Sequence, residues 1–291
     1  MREGGSLAYS RADEIPDPQG APVTADSARA AALALYRRSV IKQEKVRRIL
    51  ELLHDPADLD CLDVGGDNGV VSLLLRMQGG RWTSADLDEA TVAAIRGLVG
   101  DPVHRIDGGR TPFSDHAFDQ VVIVDFLEHI EADEAFAREL ARILKPEGTL
   151  IVNVPHHKPG SWIVKLRHAV GLTDEKHGHL RPGYRIGRLR ELFDGSFTLE
   201  SWRTYSRAFS ELVDLLLNLA YELRSKPRDE DRSAKGTVVT TADLAKRRKE
   251  LTLLSILYPF LWTAVRLDRL LVGTEGHRLI ARFRRSAPAA R

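Results

Sequence analysis

A glycine-rich turn after a short apolar run is the part of this sequence best suited to holding a ligand. It lies within Cys61–Gly69, and its chemistry rests on Asp63, Gly65, Gly66, Asp67 and Gly69. Glycine lets the backbone turn tightly and approach a ligand, and the amide groups that open the next helix suit a carboxylate. Asp63 would repel a pyrophosphate and attract an ammonium group. A ligand that carries both a carboxylate and an ammonium group is an amino acid.

A second acidic residue lies where ribose hydroxyls are bound in nucleotide-binding sheets. Asp86 ends the next apolar run, in the stretch Ser84–Asp88. Its separation from the glycine turn matches the spacing of roughly 20 residues at which an acidic side chain binds a ribose. Taken alone, a glycine after a strand is commonly no more than a turn. A ribose and an amino-acid end in one ligand together indicate S-adenosyl-L-methionine.

The segments around these residues alternate between short apolar runs and amphipathic stretches. The apolar runs predict strands at Leu59–Val64, Arg81–Asp86, Val103–Ile106, Phe118–Val124 and Thr149–Val154. Helices are predicted within Ala25–Leu53 and over Val70–Met77, Glu89–Leu98 and Asp133–Leu144, with Lys145–Gly148 closing the last of them. Such alternation indicates βαβ units and a parallel sheet. Parallel sheets bind ligands at the carboxyl ends of their strands, where Asp63 and Asp86 lie.

After Pro155 the pattern changes. The predicted elements are, in order, a polar loop to about Tyr184, a helix to Phe193, a strand over Phe197–Tyr205, a helix over Ala208–Leu223, a charged break over Ser225–Thr241, a helix over Leu244–Leu271 and a final edge strand over His277–Phe283.

The last of these helices, Leu244–Leu271, contains an apolar run, Leu251–Val265, that allows two interpretations. The run has 15 residues and contains Pro259, so it is short for a membrane span. We expect a buried helix of the core. The alternative is an interfacial helix, because basic residues flank the run on both sides. These are Lys246, Arg247, Arg248, Lys249, Arg266 and Arg269.

Charge and cysteine content restrict the class of protein. The 43 basic and 41 acidic residues give a net charge of +2, which does not indicate a general affinity for nucleic acid. The charge is uneven: residues 1–180 carry 21 basic and 28 acidic side chains, whereas residues 181–291 carry 22 and 13. Cys61 is the only cysteine, which excludes an internal disulfide and a cysteine zinc site. Residues 1–25 predict a disordered lead-in without a signal peptide, and therefore a cytoplasmic location.

Four blocks in order resemble the small-molecule class I S-adenosylmethionine-dependent methyltransferases. They are the glycine turn, Asp107–Ser114 leading into Ala117–Val122, Leu127–Ile130 and Leu144–Leu150. The resemblance covers about Leu59 to Val154, with a weaker echo at His179–Tyr184. It implies an α/β, Rossmann-like fold with a mostly parallel seven-stranded sheet, helices on both faces and a C-terminal helical insertion. Together with the residue pattern it predicts four units: residues 1–25 (disordered), 26–205 (cofactor-binding domain), 206–272 (apolar helical insertion) and 273–291 (last strand and tail).

The resemblance also assigns residues to the cofactor. Asp63 and Gly65–Gly69 would hold the methionine end. Asp86 would bind the ribose with Leu87 on the adenine, Asp107 with Gly108 would meet the adenine amino group, and Asp125, with the two residues after it, would form the floor near the sulfonium. Asp67 stands where the family has its central glycine. Aspartate tolerates a left-handed backbone better than most residues, so we expect the turn to survive, although its carboxylate would lie close to that of the ligand.

Histidines supply the candidate general bases, since histidine titrates near neutral pH. His156 and His157 follow a predicted strand at the ligand edge, and His177 and His179 lie in the next loop. An oxygen acceptor of high pKa needs such a base, whereas methyl transfer needs no metal. We expect no metal site, because the pair His177 and His179 has no carboxylate at a ligand spacing.

The acceptor is expected to depend on the helical insertion. Relatives with apolar C-terminal helices often act on lipids, quinones or lipid-linked sugars, so the resemblance implies a small, lipid-like acceptor and peripheral contact with an anionic membrane. An NAD-dependent oxidoreductase is disfavoured, because no G-x-G-x-x-G occurs. Nucleic-acid methylation is disfavoured by the absence of an aromatic and basic groove pattern. A catalytically degenerate scaffold at a membrane surface remains as the alternative.

Overall fold

A sheet of seven strands organises the part of the chain that the structure describes. In this computed structural model, residues 15–16, 22–23, 25–169, 180–222 and 248–287 are described. The strands are β1 Asp60–Val64, β2 Arg81–Asp86, β3 Val103–Arg105, β4 Phe118–Val124, β5 Leu144–Pro155, β6 Phe197–Tyr205 and β7 Arg278–Arg285. Their order is β3-β2-β1-β4-β5-β7-β6. Strands β1 to β5 are parallel, and β7 runs antiparallel to both of its neighbours. The predicted fold class is confirmed.

Helices cover both faces of this sheet. They are α1 Ala25–Tyr36, α2 Val40–Leu50, α3 Val70–Arg76, α4 Glu89–Val99, α5 Asp133–Ile143, α6 Trp162–Ala169, α7 Ile186–Phe193, α8 Ala208–Glu222 and α9 Arg248–Leu267. Successive side chains of a strand point to opposite faces. Val121 and Ile123 of β4 accordingly pack in the same cluster as Leu140 of α5. Val122 packs on the other face, in the cluster that contains Ile49 of α2.

The last strand lies inside the sheet, so the prediction of a final edge strand is wrong. β7 pairs with β5 on one side and with β6 on the other. Leu279, Ile280 and Ala281 are all buried, as expected for a strand covered on both faces. Most of β6 is exposed or half-buried, and β6 is the edge strand instead. Alternation along one strand carries no information about which strand lies at the edge.

Two local predictions between the strands also need correction. Lys145–Gly148 does not simply close α5, because it lies within β5, where Leu144 already pairs with Phe118. The register then shifts between Phe118 and Gln120, which takes up the extra residues. The segment predicted as a polar loop to Tyr184 contains α6, whose Ile163 is buried. The amphipathic period of this segment is short and gave too little signal in the sequence.

The apolar helix α9 is not buried, so the core-helix prediction for Leu251–Val265 is wrong. Ile256 is 61% exposed and Phe260 is 71% exposed. One side of α9 contacts α2 and α8, and the other side faces solvent. A helix that is apolar on two sides looks the same in sequence whether one or both of those sides are covered.

Several predictions fall on parts of the chain that the structure leaves undescribed. Of residues 1–25, predicted to be disordered, only residues 15–16, 22–23 and Ala25 are described, and Ile15–Pro16 pairs with Pro22–Val23. The predicted break Ser225–Thr241 lies outside the described residues. α8 and α9 precede β7 in the chain, while the unit boundaries themselves stay predictions.

Candidate functional site

The glycine turn follows β1 and is held against two neighbouring strands. Gly65 has φ +84°, and its amide donates to the Ala85 carbonyl at 3.1 Å. A Cβ at this position would lie 2.0 Å from the Val124 carbonyl oxygen. Any other residue would therefore clash with the backbone of β4 as well as strain its own. The turn can pass this closely over the strand ends only with glycine.

The left-handed positions of the turn lie on the residues around Asp67. Among the described residues of the turn, Asn68 at φ 55° and Gly69 at φ 89° take that conformation, together with Gly65. Asparagine and glycine are the residues that adopt it most readily. The turn therefore forms with Asp67 in place of a glycine. Contact of Asp67 with a ligand stays a prediction.

Asp63 lies beneath the turn, enclosed by side chains of the protein. It is 1% exposed, and its carboxylate accepts hydrogen bonds from Ser72 Oγ at 2.5 Å, Ser84 Oγ at 2.7 Å and Arg76 at 3.2 Å. Burial raises the pKa of Asp63, and Arg76 and the two serines oppose that shift. These bonds connect β1, β2 and α3. Asp63 thus fixes the base of the turn, and its predicted contact with the methionine end stays a prediction.

Two further carboxylates follow the neighbouring strands at the same edge of the sheet. Asp86 ends β2, is half-buried, and accepts a hydrogen bond from the Leu87 amide at 2.7 Å. Asp107 lies two residues after β3, is exposed, and accepts from the Gly109 amide at 2.8 Å. β2 and β3 are parallel neighbours, with Asp86 in register with Arg105. Both carboxylates therefore stand where a ligand crossing the strand ends would meet them.

Leu87 and Gly108 complete this part of the edge. Leu87 packs on the main apolar cluster. Gly108 has φ +79°, and a Cβ there would lie 2.6 Å from Cγ2 of Ile130. The loop after β3 is thereby held close to the segment after β4. The contacts predicted for Leu87 and Gly108 with an adenine ring stay predictions.

Asp125, immediately after β4, is the centre of a charged cluster that sequence reasoning missed. Its carboxylate accepts from Lys45 Nζ at 2.7 Å, from Arg278 at 2.8 Å and from Asn153 Nδ2 at 3.2 Å. The nearby Asp125 carboxylate raises the pKa of Arg278, although burial opposes it. Tyr205 Oη donates to Asn153 Oδ1 at 2.5 Å and extends the cluster to β6. The cluster therefore joins α2 to the ends of four strands.

Part of this cluster left a signal in the sequence. Arg278 opens an antiparallel strand, which begins at the edge where the parallel strands end. Its position could have been inferred once β7 was known to pair with β5. Lys45 lies 80 residues before Asp125 on an otherwise ordinary amphipathic helix. No local pattern distinguishes it from the other basic residues of α2.

Glu128 is a second residue that the sequence did not single out by itself. It lies in the short helical turn Leu127–His129 after β4 and is 0% exposed. Among the described residues, neither of its carboxylate oxygens has a hydrogen-bond partner. Burial, followed by the Asp125 charge, raises the pKa of Glu128 to about 8. The available signal was a glutamate directly after the apolar residues Phe126 and Leu127.

The predicted histidine bases are only partly described. His156 is 7% exposed, and its Nδ1 lies 2.8 Å from the Gly276 carbonyl oxygen. Burial lowers the pKa of His156, against the opposing effect of that hydrogen bond. His157 is half-buried, and its amide donates to the Tyr184 carbonyl at 3.1 Å. His177 and His179 lie outside the described residues, so the assignment of a base stays a prediction.

The polar groups at this edge of the sheet fit S-adenosylmethionine. Carboxylates at the ends of β2 and β3 accept hydrogen bonds from hydroxyl and amino groups, which ribose and adenine present. At the close turn after β1, main-chain groups are available to bind the amino-acid end of the cofactor. In the described part of the chain, no group of three or more His, Cys, Asp or Glu side chains is arranged to hold a metal ion.

Comparison with known protein families matches residues 62–152 to the family described as a methyltransferase domain. These residues include the glycine turn, Asp86, Asp107, Asp125 and Glu128. This part of the chain is a methyltransferase domain. The resemblance found in the four sequence blocks is thereby confirmed.

Several curated relatives of the methyltransferase domain carry the name of a quinone. The ubiquinone biosynthesis O-methyltransferase of Rickettsia bellii is 24% identical over 123 residues, which cover 41% of this chain and 51% of that protein. The demethylmenaquinone methyltransferase of Tropheryma whipplei is 28% identical over 109 residues, 36% of this chain and 46% of its own. The chain thus spans about half the length of the curated relatives it matches.

Solved structures share the fold at low sequence identity. The cyclase SpnF superposes with a TM-score of 0.55 at 18% identity, covering 85% of this chain and 82% of that one. Likeness at this level shows the fold alone. Because that protein is named a cyclase, the shared fold does not by itself decide the reaction of the methyltransferase domain.

Proposed function

We propose that the protein transfers the methyl group of S-adenosylmethionine to a small, lipid-like acceptor of the quinone type. The observation that carries the proposal is the pair of carboxylates, Asp86 and Asp107, beside a close glycine turn on adjacent strand ends. They stand within a matched methyltransferase domain. The names of the relatives support a quinone-type acceptor.

Each residue has a separate part in this proposal. Asp86 accepts hydrogen bonds from the ribose, Asp107 accepts from the adenine amino group, and the turn Gly65–Gly69 receives the amino-acid end. When bound, the cofactor supplies an electrophilic methyl group on a sulfonium. The protein orients the acceptor toward it, and alignment of two reactants can account for much of the rate. His156, His157 and His179 remain the candidate bases for an oxygen acceptor.

The first test is calorimetric titration with S-adenosylmethionine, S-adenosylhomocysteine and NAD. We expect the two sulfur ligands to bind and NAD not to bind. Replacing Asp86 by asparagine should weaken both sulfur ligands about tenfold or more, since a hydrogen bond to a charged group is worth about 1.5–3 kcal/mol. The matched control is Glu89→Gln, an exposed acidic residue on the next helix, which should leave the affinity unchanged. If Asp86→Asn binds the two sulfur ligands as tightly as the wild type does, Asp86 does not bind the ribose.

Transfer itself is tested with methyl-labelled cofactor and a lipid extract. Label in the organic phase, absent with heat-treated protein, supports the acceptor class. The alternative function, a catalytically degenerate scaffold of the same fold, predicts cofactor binding without label in any extract. A cytoplasmic location with peripheral attachment to a membrane is part of the proposal, and its support is the exposed apolar surface of α9.

A further inference from the structure

The solvent side of α9 is a continuous apolar surface. Five residues spaced three, four and seven apart lie on one side of the helix and are exposed. They are Leu253, Ile256, Leu257, Phe260 and Leu267, and they are called the apolar face below. Leu212 and Leu216 are also exposed on α8, which contacts α9. Contiguous exposed apolar surface marks sites of protein or membrane contact.

The opposite side of α9 is fixed to the rest of the protein along much of its length. Ser255 Oγ accepts from Arg38 at 2.8 Å, and Tyr258 Oη donates to Gln43 of α2 at 2.9 Å. Past the end of the helix, buried Asp268 accepts from the amides of Arg207 and Phe209 at 2.6 and 2.9 Å, at the start of α8. α9 is therefore a docked part of the protein and not a separate rod.

This anchoring decides between two ways of meeting a membrane. By length and composition alone, Leu251–Leu270 is apolar enough to cross a bilayer. Crossing would require α9 to leave α2 and α8, breaking the contacts of Ser255, Tyr258 and Asp268. A helix that keeps them presents only the apolar face, and so it lies in the plane of the surface.

Cations border the apolar face on the side of α2. A cleft of about 100 Å³ between α2 and α9 is lined by Arg47, Trp262, Arg266 and Arg269, among others. Arg47 is already paired with Glu44 and Glu51. Arg266 and Arg269 are exposed, and the Arg266 guanidinium lies 4.2 Å from the centre of the Trp262 ring. An aromatic ring and arginines beside exposed aliphatic side chains are typical of the boundary between headgroups and acyl chains.

We propose that α9 docks the protein on the surface of an anionic phospholipid bilayer. It lies in the plane of the membrane, with the apolar face among the acyl chains and Arg266 and Arg269 against the lipid phosphates. A second copy of the chain fits this surface less well. In a two-fold dimer the same patch faces itself, so both pairs of arginines would come together, and the acid that lines the same cleft, Glu44, is already paired with Arg47 and Arg48.

Docking brings the candidate site close to the bilayer. α2 contacts α9 through Gln43, and two residues later Lys45 binds Asp125 at the strand ends. A lipid-like acceptor would therefore have a short path from the membrane to the cofactor. The docking rests on and deepens the peripheral attachment that is part of the proposed function, but it does not depend on methyl transfer, since vesicle binding is measured without cofactor or acceptor.

The test is flotation of the whole protein with vesicles of phosphatidylcholine and phosphatidylglycerol, and with pure phosphatidylcholine. We expect flotation with the anionic vesicles and much less with the neutral ones. The double variant Ile256→Ser, Phe260→Ser should lower partitioning at least about tenfold, because each buried CH₂ contributes about 0.8 kcal/mol. The variant Arg266→Gln, Arg269→Gln should lower it about fivefold per arginine on anionic vesicles only.

Matched controls keep the result specific to this surface. Met77→Ser removes an apolar side chain that is 61% exposed at the end of α3, and Arg190→Gln removes an exposed cation on α7. Both should float like the wild type. All variants should show unchanged circular dichroism, since the replaced side chains are exposed.

Four outcomes would overturn the proposal. The first is no flotation of the wild type, and the second is unchanged flotation of the Ile256, Phe260 variant. The third is membrane-bound protein that resists carbonate extraction, which would indicate a spanning helix. A dimer that Phe260→Ser dissociates, without vesicle binding, would identify the apolar face as a contact between copies and equally reject the lipid surface.

Discussion

The parallel part of the sheet and the helix α9 use similar apolar residues in opposite ways. In α5, Leu140 and Ile143 are 0% exposed against β4 and β5. In α9, apolar side chains on one side contact the protein, while those on the other side remain in solvent. Apolar content in the first region produces a rigid scaffold for strand ends. In the second region it produces an exposed apolar surface, and such a surface is suited to binding.

The largest effect is expected at the glycine turn, which packs directly on the rigid strand ends. We predict that Gly65→Ala costs at least about 4 kcal/mol of unfolding free energy, because a Cβ would lie 2.0 Å from a carbonyl oxygen of β4. The control is Gly79→Ala, which also has a positive φ but nothing within 4 Å of its Cβ. It should cost only about 1–2 kcal/mol, the expense of a left-handed alanine. Urea unfolding measures both, and equal losses would refute the close approach.

A second prediction compares burial directly. Leu140→Ala removes a fully buried side chain and should lower the unfolding free energy by about 2–5 kcal/mol. Ile256→Ala removes a side chain that is 61% exposed and should change it by no more than about 0.5 kcal/mol. Thermal and urea unfolding give both values. A large loss at Ile256 would mean that α9 is covered in the free protein.

A third prediction concerns the buried acid beside the strand ends. The pKa of Glu128 is about 8 in the folded protein and 4.5 in the reference state, so folding favours its protonated form. Its stabilising effect is complete below pH 4.5 and is lost as the pH rises toward 8. Glu128→Gln cannot ionise, and should therefore gain stability relative to the wild type as the pH rises from 5 to 9. At about 1.4 kcal/mol per pKa unit, the gain should be measurable by urea unfolding.

Glu139 provides a control of opposite sign. Burial alone would raise the pKa of Glu139, but hydrogen bonds from Arg142 and Thr111 lower it to about 2. Its contribution is present above pH 4.5 and is lost as the pH falls toward 2. Glu139→Gln should therefore lose stability relative to the wild type at neutral pH, with the difference shrinking in acid. The same slope for both variants would contradict the burial of Glu128.

Much of the scaffold was predictable because its signals are local. β2, β4 and β6 have the bounds that their apolar runs predict. The glycine turn and Asp86 follow from a strand, a turn and a spacing, each contained in a few tens of residues. The resemblance to methyltransferases added the order of blocks, and the matched domain confirms it.

The charged part of the site was not predictable in the same way. Asp125 was expected near the ligand, but its partners Lys45 and Arg278 are 80 and 153 residues away in the sequence. Glu128 stands out only once the structure shows that its side chain is buried. Charge pairing across such distances depends on how α2 and β7 dock on the sheet, and no residue pattern encodes that docking locally.

The sequence by itself determined the alternation of strands and helices, the glycine turn and the acidic residues that follow the strands. Each of these depends on short-range physics: side-chain periodicity, backbone freedom and turn chemistry. Only the tertiary structure decided that β7 lies between β5 and β6, that Asp125 is neutralised from two distant elements, and that α9 keeps one apolar side in solvent. These features depend on which surfaces cover one another, and burial is a property of the packed molecule and not of a segment.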